Sequence, residues 1–233
     1  MNIKSVEISN IPALIYGDSA DKIFIFVHGR YSNKESAESF SEIVTKNGYQ
    51  VLSFDLPEHG ERKNEEYSCN LKNGVHDLKI IYDSIKEKYK ELSLFACSLG
   101  AYFSLVAYSE ILFKKCLFLS PILNMERLIQ NMMKWSNINE EKLEEEKEID
   151  TSFGEKLSWE YYNYVKEHPI KKWNSPTSIL YGESDNLTEI DILNTFAKKY
   201  DCHVEIMKNG EHYFHTPEQL KFLNSWITKQ KYE

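Results

Sequence analysis

The residue with the clearest chemistry is a serine between small neighbours. In Leu92-Ser-Leu-Phe-Ala-Cys-Ser-Leu-Gly-Ala101 an apolar, strand-like run leads to Ser98, with Ala96 two positions before it, Gly100 two after, and a helical pattern behind. A hydroxyl at such a strand-to-helix turn is poised as a nucleophile. The turn is sharp enough to need small flanking residues, and the helix start offers unpaired N–H groups and a positive dipole end to a developing oxyanion. The pattern is G-x-S-x-G with Ala96, the next smallest residue, in place of the first glycine. A serine that merely caps a buried helix is the plain alternative. Cys97 is a rival nucleophile, but a turn centred on it would put Phe95 and Leu99 where small residues are needed. Cys97 is therefore read as a buried neighbour.

A serine nucleophile needs a base, and histidine is the side chain that ordinarily titrates nearest neutral pH; the chain has seven. Two further motifs narrow the choice. Val27-His28-Gly29-Arg30 ends an apolar run, and Asp55-Leu-Pro-Glu-His-Gly60 follows the next strand-like run. Together with the serine turn they resemble the α/β-hydrolase superfamily, in its small bacterial serine esterase and lipase-like members. Those carry His-Gly-x at the first place and D-x-x-G-x-G at the second, where Glu58 here replaces a glycine. The resemblance runs from about Lys22 to Trp226.

The resemblance implies roles for single residues. The backbone N–H groups of Leu99 and Arg30 form the oxyanion hole, and His28 organises its loop. Asp55 and His59 are structural, with a place at the mouth of the site as the alternative. The base is His212, in Lys208-Asn-Gly-Glu-His212 between the last strand and the last helix. His215 is the alternative, although it directly precedes the helix entry and should be held there. The orienting acid is Asp185, in Ile179-Leu-Tyr-Gly-Glu-Ser-Asp185, with Glu183 as fallback; after the preceding strand Asn124 cannot serve and Glu126 is a weak substitute. The acid would hold the imidazole tautomer and stabilise the imidazolium.

The elements that must position these residues follow a βαβ rhythm, which predicts an α/β fold with a mainly parallel central sheet and helices on both faces. Strands are expected at about Ile3–Ile8, Ala13–Tyr16, Lys22–Val27, Tyr49–Phe54, Leu92–Ala96, Cys116–Leu119, Thr177–Tyr181 and His203–Met207, the first two as an antiparallel edge. Helices are expected near Ser36–Lys46, Leu71–Tyr89, Leu99–Tyr108 and Glu189–Lys199, with a last helix entered through a Thr216–Gln219 capping box. Between Pro121 and about Ile170 the rhythm breaks. A single domain over residues 1–233 with a small helical cap at about 124–168 accounts for this. The acidic run Glu140–Glu148 reads as a solvated helix face. Met132, Trp135, Trp159 and Tyr162 could wall an apolar acyl pocket in the cap, and packing among its helices explains them equally well.

Composition excludes other classes. A formal net charge of -8, with no concentrated basic patch, argues against nucleic acid as a partner. No apolar run approaches the ~20 residues of a membrane span, and the first ten residues lack the apolar core of a signal peptide. The four cysteines (Cys69, Cys97, Cys116, Cys202) have no metal-like spacing, and a cytoplasmic protein with free thiols is expected. What the resemblance implies is hydrolysis of a small-molecule carboxylic ester or thioester through an acyl-serine intermediate, with no metal or organic cofactor. A proline-releasing peptidase, an acyltransferase, a haloperoxidase-like activity and a C–C hydrolase share the same constellation. A non-catalytic binding module on this fold is the alternative of a different kind. The sequence sets no oligomeric state.

Overall fold

The computed structural model describes residues 1–232. The chain opens with an antiparallel hairpin of β1 (Ile3–Ile8) and β2 (Ile11–Tyr16). Its turn residues Ser9 and Asn10 have φ of 51° and 66°, a left-handed pair that suits a tight hairpin. Strand and helix then alternate through β3 (Lys22–Val27), α1 (Glu38–Val44), β4 (Tyr49–Phe54), α2 (Leu71–Ile85), β5 (Glu91–Cys97), α3 (Leu99–Ala107) and β6 (Cys116–Leu119). An excursion follows, comprising α4 (Met125–Trp135), α5 (Glu140–Glu146), β7 (Glu148–Asp150), β8 (Lys156–Ser158) and α6 (Trp159–Glu167). The alternation resumes with β9 (Thr177–Gly182), α7 (Ile190–Tyr200), β10 (His203–Met207) and α8 (Pro217–Thr228).

Eight strands form one sheet in the order β1-β2-β4-β3-β5-β6-β9-β10, parallel from β4 to β10 and antiparallel at the β1–β2–β4 edge. β3 shows why. Its alternate residues Ile23, Ile25 and Val27 pack into one buried cluster, with α2, α3 and α7, while Phe24 and Phe26 pack into another, with α1 and α8. A strand buried on both faces reads as a continuous apolar run, and helices must cover both sides of it. The fold is thus that of an α/β hydrolase. Among the described residues no helix is long and apolar enough to cross a membrane.

Two expectations need correction. The excursion is not helical throughout: Lys147, at φ 67°, ends α5, and β7 and β8 pair as a small antiparallel hairpin. The helix expected to reach Tyr89 stops at Ile85. The acidic run is solvated as expected, with Leu143 alone in it buried.

Beneath the ends of β3 and β4 lies a polar layer that shapes the loops above. The Asp55 carboxylate is fully buried and accepts from Lys34 N (2.8 Å), Lys34 Nζ (2.9 Å) and Glu61 N (3.0 Å). Burial alone would lower the Lys34 pKa, but bonds to Glu61, Asp55 and Glu35 outweigh it and hold the ammonium above its ordinary value. His28 Nε2 accepts from Leu56 N (3.1 Å), which leaves the proton on Nδ1 for Gly29 O (2.8 Å). His59 repeats the device, accepting from Tyr31 N (3.1 Å) and donating to Pro57 O (2.7 Å). Burial pushes the pKa of His28 down to about 4 and lowers that of His59, so both remain neutral acceptors. Glu58, in the place of the usual glycine, adopts the glycine-like φ of 61°, and its carboxylate accepts from Cys69 N.

This layer makes two predictions. Lys34→Met leaves the Asp55 charge buried without its cation and should cost about 3–5 kcal/mol in urea unfolding; a loss under ~1 kcal/mol would show the pair to be dispensable. His28 stays neutral in the folded chain to about pH 4, whereas the unfolded chain takes up its proton near 6.5. Its contribution is complete above pH 6.5 and disappears as pH falls to 4, about 3 kcal/mol in all. The stability of His28→Gln should fall less steeply than wild type across that window, and parallel curves would refute the assignment.

Candidate active site

Ser98 closes β5 and caps α3 with φ 49° and ψ −116°, a conformation that side-chain-bearing residues rarely adopt. Four backbone hydrogen bonds hold it there. Its N–H donates to Leu119 O (3.1 Å), and its carbonyl accepts from Ala101 N (3.1 Å), Tyr102 N (3.3 Å) and Ile122 N (3.2 Å). The small neighbours have specific reasons. A Cβ at Gly100 would lie 2.3 Å from His28 O, and one at Gly29 would lie 3.2 Å from Ser98 Cβ. The turn and the end of β3 are therefore in backbone contact. Ala96 is fully buried between Val27 and Phe118 on the adjacent strands, where its methyl group is accommodated.

The structure brings Ser98, His212 and Asp185 together across 114 and 27 residues of sequence. Ser98 Oγ lies 2.8 Å from His212 Nε2, and His212 Nδ1 lies 2.7 Å from Asp185 Oδ2. Asp185 is held in turn, its Oδ1 accepting from Leu187 N (2.8 Å) and Thr188 N (3.0 Å). Its carboxylate is inaccessible to solvent and the imidazole only 12% exposed. In that setting Nδ1–H donates to Asp185 Oδ2, which leaves Nε2 free to accept from the serine hydroxyl.

The two loops that carry the pair are laced together. Ser184 N donates to Gly210 O (2.7 Å), Glu183 N to Met207 O (3.0 Å) and Asn209 N to the Glu183 carboxylate (2.9 Å). Gly182 permits this, since a Cβ there would meet the carbonyls of Glu211 and Gly210 at 2.5 Å. Glu183 is thus spent on its neighbour loop. His215 turns away: its N–H bonds Gln219 at the entry of α8, and its ring stacks on Tyr213. Burial, with the Asp185 charge adding to it, pushes the Cys97 thiol up to about 12, so it is not the ionised nucleophile at neutral pH.

Leu99 is the first residue of α3, where N–H groups lack helical partners, and among the described residues neither its amide nor that of Arg30 donates a hydrogen bond. The Arg30 guanidinium lies 3.4 Å from Glu155 and 3.9 Å from Glu58. Tyr31 OH also bonds Glu155. Among the described residues no group of three or more His, Cys, Asp or Glu side chains could hold a metal ion.

The cap residues fare differently. Tyr162 is fully buried, its OH donating to Glu140 (2.7 Å) and accepting from Gln130 (3.1 Å), so it is a packing residue and not a pocket wall. Met132 and Trp159 are half-buried against the same core, and Trp135 is half-exposed with its ring edge on Phe153. A cavity of about 380 Å³ between Tyr102, Leu123, Phe196 and Tyr200 contains none of these four residues, nor Ser98 or His212. Ser98 and Leu99 instead lie at a half-open face. Sequence reasoning missed Glu155 and Tyr31, which leave no local signal; Gly182 is the strand-end glycine in the segment that pointed to Asp185.

Comparison with known proteins agrees with this architecture. No curated protein matches the chain in sequence. Among solved structures, Est1E from Butyrivibrio proteoclasticus with bound ferulic acid superposes with a TM-score of 0.78 at 17% identity, covering 97% of this chain and 96% of that one. Mouse alpha/beta hydrolase domain-containing protein 10 gives 0.76 at 15%, covering 97% of each chain. The Pyrococcus furiosus esterase Pf2001 gives 0.63 at 20%, covering 98% and 90%. At these identities the likeness speaks for the fold alone. The family model for serine aminopeptidase, S33, matches residues 18–160, well over half of the chain, and the protein belongs to that family of α/β hydrolases.

Proposed function

We propose that the protein is a serine hydrolase that cleaves a carboxylic ester or thioester through an acyl-serine intermediate. The observation that carries this reading is the unbroken relay from Ser98 Oγ to His212 Nε2 and from His212 Nδ1 to Asp185. Ser98 Oγ attacks the carbonyl carbon while His212 Nε2 takes its proton. The carbonyl oxygen gains charge between the amides of Leu99 and Arg30. His212 then protonates the leaving oxygen or sulfur, and a water activated by the same nitrogen releases the acid. Asp185 stays ionised and holds the ring in its working tautomer.

The surroundings support a substrate with an aromatic or apolar part. Exposed aromatic side chains stand next in the chain to the proposed site residues: Tyr31 follows Arg30, Tyr213 follows His212, and Phe153, with Trp135 against it, shares a turn with Glu155. The structure with ferulic acid bound is Est1E's own, and it supports by analogy an aromatic acid on this fold. The segment at about 124–168 is proposed to act as the cap over this face. Peptide release is the second reading, favoured by the family's description. A free α-ammonium group needs a carboxylate to receive it, and Glu58 and Glu155 at the oxyanion loop are already turned toward Arg30. We therefore favour the ester.

Three outcomes test the reading. A fluorophosphonate probe should label wild type and not Ser98→Ala; equal labelling would leave a binding module as the better account. His212→Ala should lower kcat on p-nitrophenyl esters by on the order of 10³ or more while far-UV circular dichroism is unchanged, and near-normal turnover would move the base elsewhere. Gly182→Ala should part the two loops and cost roughly 10²-fold in kcat. A change under threefold would show that their contact does not set the His212 geometry.

A further inference from the structure

The oxyanion loop does not hold itself. Tyr31, directly after the proposed donor Arg30, has φ 60°, a conformation that a bulky residue adopts only where its surroundings impose it. From below, His59 Nε2 accepts from its N–H (3.1 Å). From above, a single carboxylate meets both residues: Glu155 accepts from Tyr31 OH and pairs with Arg30 Nε at 3.4 Å. The guanidinium also lies over the Tyr31 ring, 5.1 Å from its centre. Glu155 comes from the turn between β7 and β8, 125 residues along the chain from Arg30.

That turn is built to present the carboxylate. Thr151 Oγ1 donates to Glu155 O (2.6 Å) and accepts from Glu155 N (3.1 Å), and Thr151 N donates to the same carbonyl (2.9 Å). The Glu155 backbone is therefore fixed before its side chain reaches across. The Glu155 side chain is 23% exposed and that of Arg30 34%, so screening limits what the ion pair adds to global stability. Its geometric effect is larger, because an oxyanion donor displaced by a fraction of an ångström loses much of its value.

We propose that Glu155 is a positioning residue for the reaction: by gripping Tyr31 and Arg30 together it aims the Arg30 N–H at the oxyanion, so that the excursion completes the hole. This rests on the reading of Arg30 N–H as a donor to an acyl-serine transition state. Glu155 touches no reacting atom and moves no proton. It acts in the transition state through the loop, so its loss lowers kcat and leaves KM in place.

The test is steady-state hydrolysis of p-nitrophenyl butyrate together with the rate of fluorophosphonate inactivation, whose phosphoryl oxygen needs the same hole. Glu155→Ala should lower both kcat and the inactivation rate constant by roughly 10- to 100-fold, with KM within about twofold of wild type. Glu155→Gln keeps an acceptor for Tyr31 OH and should recover most of the loss. Tyr31→Phe, which leaves the core untouched, should lower kcat in the same direction. Combined with Glu155→Ala, it should add less than the product of the two single effects. Unchanged kcat in Glu155→Ala, a loss confined to KM, or failure of Gln to rescue would overturn the proposal. If wild type itself is not labelled at Ser98, the serine-hydrolase reading fails first; if wild type labels and Glu155→Ala labels as fast, only the role of Glu155 fails.

Discussion

The site depends on one backbone contact: the turn at Ser98 lies against the end of β3 so closely that the His28 carbonyl occupies the space of a side chain at position 100. The strained Ser98 conformation costs on the order of 1–3 kcal/mol and persists because its surroundings over-determine it. Those surroundings are the C-terminal ends of β3, β5 and β6, whose register places Leu119 O and Ile122 N on the two sides of the serine. Ligand sites of open parallel sheets lie at this edge, because there the loops of several strands converge. Asp185 and His212 arrive at the same edge from β9 and β10, through loops that share backbone hydrogen bonds.

The loop that carries Arg30 and Tyr31 shows how the rest of the molecule serves that contact. It is gripped on two sides by different chemistry. Below it, neutral His28 and His59 accept backbone N–H groups above a buried Asp55–Lys34 pair, an arrangement that works only while both rings are uncharged. Above it, the Glu155 carboxylate reaches over from the excursion. The first grip is buried and adds to global stability; the second is partly solvated and acts chiefly on geometry.

What was legible beforehand divides along the range of the interactions. The sheet, the covered strand β3, the serine turn and the Thr216–Gln219 capping box are local patterns, written in residues a few positions apart, and the structure has them. The Asp185 and His212 loops were placed through family resemblance, and the structure brings both residues to Ser98. The excursion was harder. Its β7–β8 hairpin is made of two three-residue strands, too short for a period to show, and it follows a helix whose acidic pattern runs on past the residue that ends it. Tyr162 carries the same composition signal as a pocket aromatic, but its hydroxyl is committed to Glu140 and Gln130. Glu155 had no local signal, because its partners Arg30 and Tyr31 are more than a hundred positions away. Glu58 sits in a glycine's conformation, a departure that a pattern match can flag but not resolve.

The most direct test of the account is rapid-quench mass spectrometry of the protein during turnover of a p-nitrophenyl ester, followed by peptide mapping. The account predicts a transient covalent adduct, heavier by the acyl group less one hydrogen, on the side chain of Ser98, and its accumulation when deacylation is slowed. Turnover with no adduct, or an acyl group found on Cys97 instead, would contradict it.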